Sequence, residues 1–257
     1  MRIMVDDPME LLVDLHVMHD RQGPGSDDMT RDAIQRAGIA PRPDLNVVDL
    51  GCGTGASTLV LASELNTRIT AVDIFTPFLQ QLRRRADAGG VQNLIQPVAA
   101  SIDRLPFEDH SIDVIWSEGA VYNIGFARGV RLWQKLLRPG GILVVSELSW
   151  LSDTRPAELT AHWEAEYPEI ATVSDKMKEL HLAGYDVIDH TILDSTCWVD
   201  NYYRPIMNGL DAFVDRHHAS TTAVDIATAE RAEADLYGRF SDYFSYGMFI
   251  AQRRSES

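Results

Sequence analysis

The stretch VVDLGCGTG (residues 47–55) decides the fold. A run of β-forming residues leads to Asp49, and three glycines, Gly51, Gly53 and Gly55, then turn the chain into a helical pattern. Glycine adopts backbone conformations that other residues avoid, and it lets the main chain approach a ligand closely. A strand, a glycine-rich turn and a helix in this order predict the cofactor-binding corner of an open α/β sheet.

Short apolar runs alternate with helical patterns on both sides of this stretch. Seven runs predict strands, at residues 46–50, 69–74, 95–100, 112–117, 141–148, 185–193 and 246–254. Periodic segments predict helices at residues 8–19, 27–38, 56–66, 77–88, 126–137 and 174–183. The alternation predicts an α/β fold with a doubly wound, mainly parallel, seven-stranded sheet. Gly140 and Gly141 are expected to form the turn that ends the helix before the fifth strand.

The whole chain is predicted to form a single domain in three parts. Residues 1–40 hold two short amphipathic helices on either side of RQGPGS (21–26), whose glycines suit a hinge, and we expect them to form a lid. Residues 45–150 form the core. Residues 150–173 and 197–242 are expected to be helical cap insertions that roof the site.

The composition argues against several classes of function. The 257 residues carry a formal net charge of −15, which repels phosphate backbones and disfavours nucleic acid as a partner. Two cysteines, Cys52 and Cys197, suggest neither a disulfide framework nor a zinc cluster, so no metal site is predicted. No apolar run is long enough for a membrane span, and the acidic N-terminus does not resemble a signal peptide. We therefore expect a cytoplasmic monomer or homodimer. The run Arg83–Arg85 is interpreted as a solvated helix face.

Two cofactors suit a glycine-rich turn of this kind. Nicotinamide-binding folds favour the spacing G-x-G-x-x-G, because a pyrophosphate sits on the helix N-terminus. Here the spacing is G-x-G-x-G, and the carboxylate of Asp49 fits an amino acid ammonium better than a pyrophosphate. The stretch resembles the glycine loop of the class I S-adenosylmethionine (SAM) methyltransferases.

The resemblance to this family covers residues 45–150. LPFEDHSIDVI (105–115) is similar to the family's approach to strand four, and LLRPGGILVVSE (136–147) to its helix, turn and fifth strand. RQGPGS, WSEGAVYNIGF (116–126) and SELSW (146–150) together resemble a subgroup of small-molecule methyltransferases. The resemblance implies SAM as the cofactor, S-adenosylhomocysteine (SAH) as the product and a small-molecule acceptor.

The resemblance also implies which residues hold the cofactor. Asp73, the acid that ends strand two, follows Gly53 by 20 residues and would bind the ribose hydroxyls. Ser101 and Ile102 would frame the adenine, although the family often has an acid where this chain has Ser101. Cys52 is interpreted as a packed residue of the loop and not as a nucleophile. The full set of expected cofactor residues is Gln22, Asp49, Gly51, Cys52, Gly53, Gly55, Asp73, Ile74, Ser101, Ile102 and Glu118.

Polar residues at the ends of strands four and five predict the acceptor site. Ligands of open α/β sheets bind at the carboxyl ends of strands beside the switch point. Glu118 and Glu147 are therefore expected at adjacent strand ends, where they would bind a cationic acceptor or take its proton. Tyr122 would face the sulfonium and Asn123 would orient a polar group of the acceptor. His19, in the lid, is a candidate general base.

Other interpretations of these residues remain open. Glu118 would instead hold the lid shut by bonding to the RQGPG segment. Tyr122 and Asn123 would cap the helix that starts near Gly125. Each interpretation makes the residue structural and removes it from the chemistry.

The sequence thus predicts methyl transfer from SAM to a small polar metabolite by in-line displacement. The sulfonium already activates SAM, so the protein mainly supplies alignment and desolvation. A general base is needed only if the acceptor arrives protonated. The alternatives are a SAM-binding regulatory subunit without turnover and, less favoured by the glycine spacing, a nicotinamide-dependent oxidoreductase.

Overall fold

The computed structural model describes residues 7–255, so residues 1–6 of the predicted lid lie outside the described range. Within that range a sheet of eight strands forms the centre of the molecule. The strands are β1 (Val47–Leu50), β2 (Ile69–Asp73), β3 (Ile95–Ala99), β4 (Ile112–Ser117), β5 (Leu137–Trp150), β6 (Ala171–Thr172), β7 (Tyr185–Ile192) and β8 (Phe244–Arg253).

The sheet has the order β3-β2-β1-β4-β5-β8-β7, and the two-residue strand β6 pairs with the end of β5. Strands β1 to β5 run parallel, whereas β8 is antiparallel to both β5 and β7. The predicted seven-stranded, mainly parallel sheet is therefore confirmed, with β6 as an addition. The strand order reverses between β1 and β4, so the ligand crevice lies outside their carboxyl ends.

Helices cover both faces of the sheet and its carboxyl edge. In residues 7–255 they are α1 (Pro8–His16), α2 (Asp27–Arg36), α3 (Ala56–Leu65), α4 (Thr76–Gly89), α5 (Phe126–Gln134), α6 (Ala157–Glu166), α7 (Val173–Leu182), α8 (Ser195–Trp198), α9 (Arg204–Arg216) and α10 (Thr221–Phe240). A π-helical turn, Val199–Tyr203, joins α8 to α9, and Val121–Ile124 forms a 3-10 turn after β4. No helix of this described part is long and apolar enough to cross a bilayer.

Two apolar layers explain why the central strands read as continuous hydrophobic runs. All four residues of β1 are buried, as expected for a strand covered on both faces. Val47 belongs to the layer that includes Leu61 of α3, whereas Val48 belongs to the layer that includes Trp133 of α5. Successive side chains of a strand point to opposite faces, so β1 anchors both layers.

Gly140 and Gly141 lie in strand β5 and do not form the helix-ending turn that the sequence predicts. The strand begins at Leu137, and its pairing with β4 is interrupted between Ile112 and Val114, so the RPGG segment lies within an irregular first part of the strand. Gly140 has a φ of 78°, which suits glycine at such an irregularity. At its other end β5 pairs with β8 as far as Trp150. Glu147 consequently lies inside a strand, and the prediction that it ends one is wrong.

Three helices of the N-terminal and later segments form a roof over the carboxyl edge. Leu11 and Leu15 of α1 pack against buried residues of α9 and α10, namely Ile206, Leu210, Phe213, Ala223 and Ala227. Burying this separate apolar cluster holds α1, α9 and α10 together as one unit. We refer to these three helices as the roof.

Candidate functional site

The glycine loop follows β1 and adopts a conformation that requires glycine. Gly51 has a φ of 73° and Gly53 a φ of 55°. A Cβ atom on Gly51 would lie 2.2 Å from the Cβ of Ala120, so the loop touches the segment after β4 directly. The N–H groups of Gly51 and Cys52 donate to the carbonyl of Val72 in β2. The loop is thereby fixed at the switch point of the sheet.

Asp73, at the end of β2, is bonded to the glycine loop. Its Oδ2 atom accepts a hydrogen bond from the N–H of Gly53 at 2.9 Å, and its Oδ1 atom accepts one from the N–H of Phe75 at 2.8 Å. Burial raises the pKa of this carboxyl, and the two backbone donors act against that rise. Each carboxylate oxygen has further acceptor capacity, so Asp73 also suits ribose hydroxyls. The adjacent Ile74 leaves 60% of its surface exposed, which gives an apolar platform for a base.

Asp49 is a buried carboxyl group that faces the site. The Thr58 hydroxyl donates a hydrogen bond of 2.6 Å to its Oδ2 atom. Burial raises the pKa of Asp49 to about 7, and the bond from Thr58 opposes the rise. A cation placed beside this group would stabilise its charged form, as an amino acid ammonium would. The sequence indicates Asp49 as a site residue, but its pattern does not reveal the partner Thr58 in α3.

One recess joins the parts of the site that the sequence placed together. It has a volume of about 60 Å³ and lies between the lid, the glycine loop and the end of β4. Its lining residues are Arg21, Gln22, Gly23, Pro24, Asp49, Gly51, Cys52, Gly53, Ala56, Ser57, Glu118 and Gly119. The structure thus brings residues 21–24 and the glycine loop to the same place.

Gln22 attaches the lid to the glycine loop. Its side-chain oxygen accepts from the N–H of Thr54 at 2.8 Å, and its amide nitrogen donates to the Thr54 hydroxyl at 3.1 Å. The same nitrogen donates to the carbonyls of His16 and His19. A Cβ on Gly53 would lie 2.2 Å from the side-chain oxygen of Gln22. The lid therefore rests directly on the loop.

Glu118 is held by three donors from different elements. Its Oε2 atom lies 3.3 Å from Nη1 of Arg21, and its Oε1 atom accepts from the Thr30 hydroxyl and the Trp116 indole, both at 2.8 Å. Arg21 also pairs with Asp27. These contacts tie the end of β4 to the lid and to α2. They favour the interpretation of Glu118 as a latch for the lid.

Glu147 does not lie beside Glu118 as a paired carboxylate. It is fully buried, and its Oε1 atom lies 3.5 Å from Nζ of Lys176 in α7. Burial raises the pKa of Glu147 to about 7, whereas the charge of Lys176 opposes the rise. Lys176 lies over the Phe126 ring in the α5 layer, but Trp116, the partner of Glu118, packs in the opposite layer. The two carboxylates therefore extend from different faces of the sheet.

Tyr122 and Asn123, which follow β4, contact different parts of the chain. Tyr122 lies edge-on to Tyr167, with ring centroids 6.2 Å apart. The amide nitrogen of Asn123 donates to the carbonyl of Ala120 within the 3-10 turn. Helix α5 has Gly125 as its N-cap and no side-chain capping bond, so the expected cap by Tyr122 or Asn123 is wrong.

His19 lies at the junction of the lid and the roof. Its carbonyl accepts bonds from Gln22 and Thr54, and its ring centroid is 6.5 Å from that of His16. Burial lowers the pKa of His19, and the neighbouring His16 lowers it further. A neutral imidazole is the form that accepts a proton, so this position is compatible with a base.

The loop after β3 holds Ser101 and Ile102, the two residues expected to frame the adenine, by bonds to other parts of the chain. The hydroxyl of Ser101 donates a 2.6 Å hydrogen bond to Asp103, which also pairs with Arg128. The carbonyl of Ile102 accepts a bond from the Trp133 indole, which fixes the loop on α5. The serine therefore has a carboxylate as its partner two residues further on.

Arg85 is a residue of the site that the sequence pattern does not reveal. The interpretation of Arg83–Arg85 as a solvated face is wrong for Arg85, which donates to the carbonyls of Asp20 and Thr54 at 2.8 and 3.1 Å. It thus bridges the lid and the glycine loop from α4. A basic run with one member on the apolar face of a helix carries no local signal for this role.

Cys52 is a packed residue of the glycine loop, as predicted. It is buried, and burial raises the pKa of its thiol well above the ordinary value, which disfavours the reactive thiolate. Among residues 7–255 no group of three or more histidine, cysteine or acidic residues is arranged to hold a metal ion.

Comparisons with known proteins agree with this geometry. Residues 48–145 match the Methyltransf_11 family model, which describes a methyltransferase domain. Residues 48–145 therefore form a methyltransferase domain of the class I S-adenosylmethionine-dependent type. The matched residues run from β1 to the middle of β5 and include the glycine loop, Asp73 and Glu118.

Individual relatives of this methyltransferase extend the likeness beyond that domain. A demethylmenaquinone methyltransferase of Clavibacter sepedonicus is 27% identical over 79% of this chain and 79% of its own length. A ubiquinone/menaquinone biosynthesis C-methyltransferase of Ruegeria sp. is 30% identical, and the alignment spans about half of each protein, 52% of this chain and 54% of the relative. A SAM-dependent methyltransferase from Geobacter sulfurreducens, solved with SAH, shares the fold with a TM-score of 0.82 at 19% identity, over 95% of this chain and 98% of the other.

The cofactor of this methyltransferase is SAM. The relatives give no support to the nicotinamide-dependent or the regulatory alternative. The solved structure shows the fold of the chain, and the sequence relatives extend the likeness beyond the methyltransferase domain.

Proposed function

We propose that this methyltransferase transfers the methyl group of SAM to a small polar metabolite by in-line displacement and releases SAH. The observation that carries the proposal is the recess in which the glycine loop, the end of β4 and the lid meet. The recess is smaller than SAM, so in this proposal the lid opens to admit the cofactor and then closes, which aligns it with the acceptor and excludes water. The small-molecule relatives support the acceptor class.

Residues of the recess and of the neighbouring ends of β2 and β3 fit the parts of SAM. The carboxylate of Asp49 suits the ammonium of the methionine moiety, and Asp73 suits the ribose hydroxyls. Ile74 and Ile102 suit the two faces of the adenine, and Ser101 offers its hydroxyl oxygen to the adenine amino group. The backbone of the glycine loop and Gln22 enclose the middle of the molecule. SAM itself supplies the activated methyl group, and this chain supplies its orientation.

The acceptor side of the proposed site lies beyond Gly119. A Cβ on Gly119 would meet no atom within 4 Å, and its N–H donates to the Ser146 hydroxyl, so this turn is both fixed and open. Tyr122 lies three residues further along the chain, in the 3-10 turn after β4. In this proposal Glu118 latches the lid and Tyr122 contacts the acceptor. In the same proposal, Asn123 shapes the 3-10 turn, and Glu147 and His19 act from positions next to the acceptor site.

Two measurements test the proposal. Isothermal titration should show saturable binding of SAM and SAH and no binding of NADH. Incubation of SAM with a metabolite panel should then give SAH in an acceptor-dependent way. Binding of SAM without SAH formation from any acceptor would favour a regulatory subunit, and absence of SAM binding would refute the proposal. We further propose the cytoplasm as its location and a monomer or homodimer, without nucleic acid, as its form.

A further inference from the structure

A second polar region lies under the roof and next to the lid. It is formed by His16 at the end of α1, Tyr202 in the π-helical turn, Glu230 and Glu233 on α10, Tyr246 in β8, and Tyr122 after β4. We call these six residues the acceptor chamber. Gln22 binds the carbonyl of His16 and also the glycine loop, so the chamber directly adjoins the proposed cofactor site.

The two carboxylates of the chamber lie on one face of α10. Glu230 and Glu233 are three residues apart, a spacing that places side chains on the same side of a helix. Oε1 of Glu230 lies 3.5 Å from Nε2 of His16, with 13% and 12% of the two side chains exposed. Oε1 of Glu233 accepts a 2.9 Å hydrogen bond from the Tyr203 hydroxyl. Both acids thus point inward, under the roof.

Aromatic rings line the rest of the chamber. The ring of Tyr202 is stacked on His16, with centroids 6.3 Å apart and planes 5° from parallel. Tyr246 packs on Trp198 at 5.4 Å. Tyr122 keeps 43% of its surface exposed, although burial raises the pKa of its phenol.

Burial and nearby carboxylates raise the pKa values of these tyrosines. The carboxylates of Glu233, Glu147 and Glu230 add to the rise of the Tyr122 pKa that burial causes. Glu147 and Glu233 do the same for Tyr246, and Glu230 and Glu233 for Tyr202, again after burial. The region under the roof is therefore acidic and aromatic.

One buried polar atom in the chamber lacks a partner. Within the described residues, Nδ1 of His16 is shielded from solvent and has no hydrogen-bond partner. Its other ring nitrogen faces Glu230. A buried imidazole nitrogen without a partner is unfavourable unless a ligand supplies one.

We propose that the acceptor chamber binds an amine in its ammonium form, which makes the chain an N-methyltransferase. The inference rests on the proposed function and names its substrate class. Carboxylates and tyrosine faces together attract a compact cation, and they leave a neutral hydroxyl acceptor without comparable attraction. A carboxylate-bearing acceptor is disfavoured by the same charges.

The ammonium must lose a proton before its nitrogen can react. That proton passes to Nδ1 of His16, while Glu230 stabilises the imidazolium from the Nε2 side. The freed nitrogen lone pair attacks the methyl carbon and forms the N–C bond. The C–S bond breaks, and its electron pair returns to sulfur, which gives SAH as a neutral thioether. The methylated amine carries the positive charge.

A cation that cannot react tests the chamber without knowledge of the true acceptor. We expect tetramethylammonium to bind the SAH-loaded protein saturably, and tert-butanol, a neutral molecule of similar size, to bind far more weakly. Glu233→Gln keeps an acceptor for the Tyr203 hydroxyl and should weaken tetramethylammonium about tenfold. Asp225→Asn, an exposed acid on the same helix, is the control and should leave binding unchanged. Equal binding of the two probes, or no effect of Glu233→Gln in a folded variant, would overturn the proposal.

A paired panel tests the chemistry. SAH formation should be faster with 2-phenylethylamine and ethanolamine than with 2-phenylethanol and ethylene glycol. Turnover of an alcohol but of no amine would overturn the inference and leave methyl transfer itself intact. Failure of SAM or SAH to bind would instead refute the proposed function, whereas tetramethylammonium binding remains measurable on the free protein.

His16→Gln gives an independent readout of proton removal. With the most active amine of the panel, kcat near neutral pH should fall by about 10²-fold, with KM little changed. The lost rate should recover as the pH is raised, because the free amine then binds without need of a base. Three other polar side chains face His16: Glu230 from α10, Tyr202 from the π-helical turn and His19 from the lid. The same pH profile is measured for a conservative variant of each. A pH-independent loss would show that His16 acts only in packing.

Discussion

Nη1 of Arg21 lies 3.3 Å from Oε2 of Glu118, a residue 97 positions further along the chain. Only 8% and 7% of the two side chains are exposed. Removal of one member of a buried ion pair leaves the other charge without compensation, which costs more than the loss of a surface pair. The pair therefore holds the lid against the end of β4.

Glu118→Gln tests this relationship. The substitution removes the charge and keeps the size, so we expect SAM affinity to fall about tenfold and amide exchange in residues 8–28 to accelerate. Titration calorimetry and hydrogen exchange measure the two effects. Asp28→Asn is the control, because the Asp28 side chain is 94% exposed and pairs with Arg31 on the surface. Unchanged SAM affinity with a loss of turnover of about 10²-fold would assign Glu118 to catalysis instead.

Asp73→Ala removes an acceptor for the ribose and two backbone bonds at once. We expect SAM binding to weaken by about 1.5–3 kcal/mol, the range for a hydrogen bond to a charged group. The free energy of unfolding should also fall, because the N–H of Gly53 loses its partner. Calorimetry and denaturant titration report the two separately. A folded variant with normal SAM affinity would remove Asp73 from the cofactor site.

Gly53→Ala places a methyl group where the side-chain oxygen of Gln22 lies. Gly90→Ala is a matched control, since Gly90 has a similar positive φ of 71° and a Cβ atom there would meet no atom within 4 Å. Both variants should lose about 1–2 kcal/mol of unfolding free energy from the backbone conformation. Gly53→Ala alone should also weaken SAM binding and loosen the lid. Equal SAM affinity in both variants would contradict the contact between lid and loop.

The pH dependence of SAM binding should follow Asp49. Burial raises its pKa to about 7, and the ammonium of SAM favours the ionised form, so binding releases a proton. Affinity should therefore increase by about tenfold per pH unit as the pH rises toward 7, and should level off above it. Asp49→Asn should bind weakly and show a much flatter profile. A wild-type profile that is flat between pH 5.5 and about 7 would contradict this assignment.

The raised pKa of Asp49 also determines how the free energy of unfolding changes with pH. The folded pKa lies above the unfolded one, so this group's favourable contribution is complete below the unfolded pKa and is lost as the pH rises through about 7. The difference in unfolding free energy between wild type and Asp49→Asn should therefore shift toward the variant as the pH increases. Thermal unfolding across this pH range measures it.

Arg85→Ala should act on the lid from the opposite side. Arg85 donates to the carbonyls of Asp20 and Thr54, whereas Arg84 is exposed on the same helix. We expect Arg85→Ala to accelerate amide exchange at residues 19–23 and Arg84→Ala to leave it unchanged. Equal exchange in the two variants would show that Arg85, like the rest of the run Arg83–Arg85, belongs to a solvated helix face.

Local sequence was sufficient for the order of the seven main strands and for the glycine loop. Asp49, Gly51, Gly53 and Gly55 occur within seven residues, and their spacing alone predicts the turn that the structure contains. The prediction was less successful where a partner comes from a distant segment. Thr58 is buried against Asp49 because α3 turns back on the strand, and no local pattern marks it.

Glu147 shows why strand ends are difficult to predict. The sequence places a carboxylate after an apolar run, which indicates the end of a strand, but β8 continues to pair with β5 beyond it. Lys176, 29 residues later, lies 3.5 Å from its Oε1 atom and offsets part of the cost of burying the charge. Antiparallel pairing with the last strand of the chain is a long-range effect, and it changed both the position and the partner of this residue.

The bonds of Gln22 have a consequence for the order of events during turnover. The side chain that binds the loop at Thr54 belongs to the lid, and the glycine beneath it leaves no room for a second group. We therefore expect SAM to enter and SAH to leave while this amide is detached. If this detachment limits product release, the lid should close on SAM before the acceptor binds, and we expect ordered steady-state kinetics in which SAM binds first and SAH departs last.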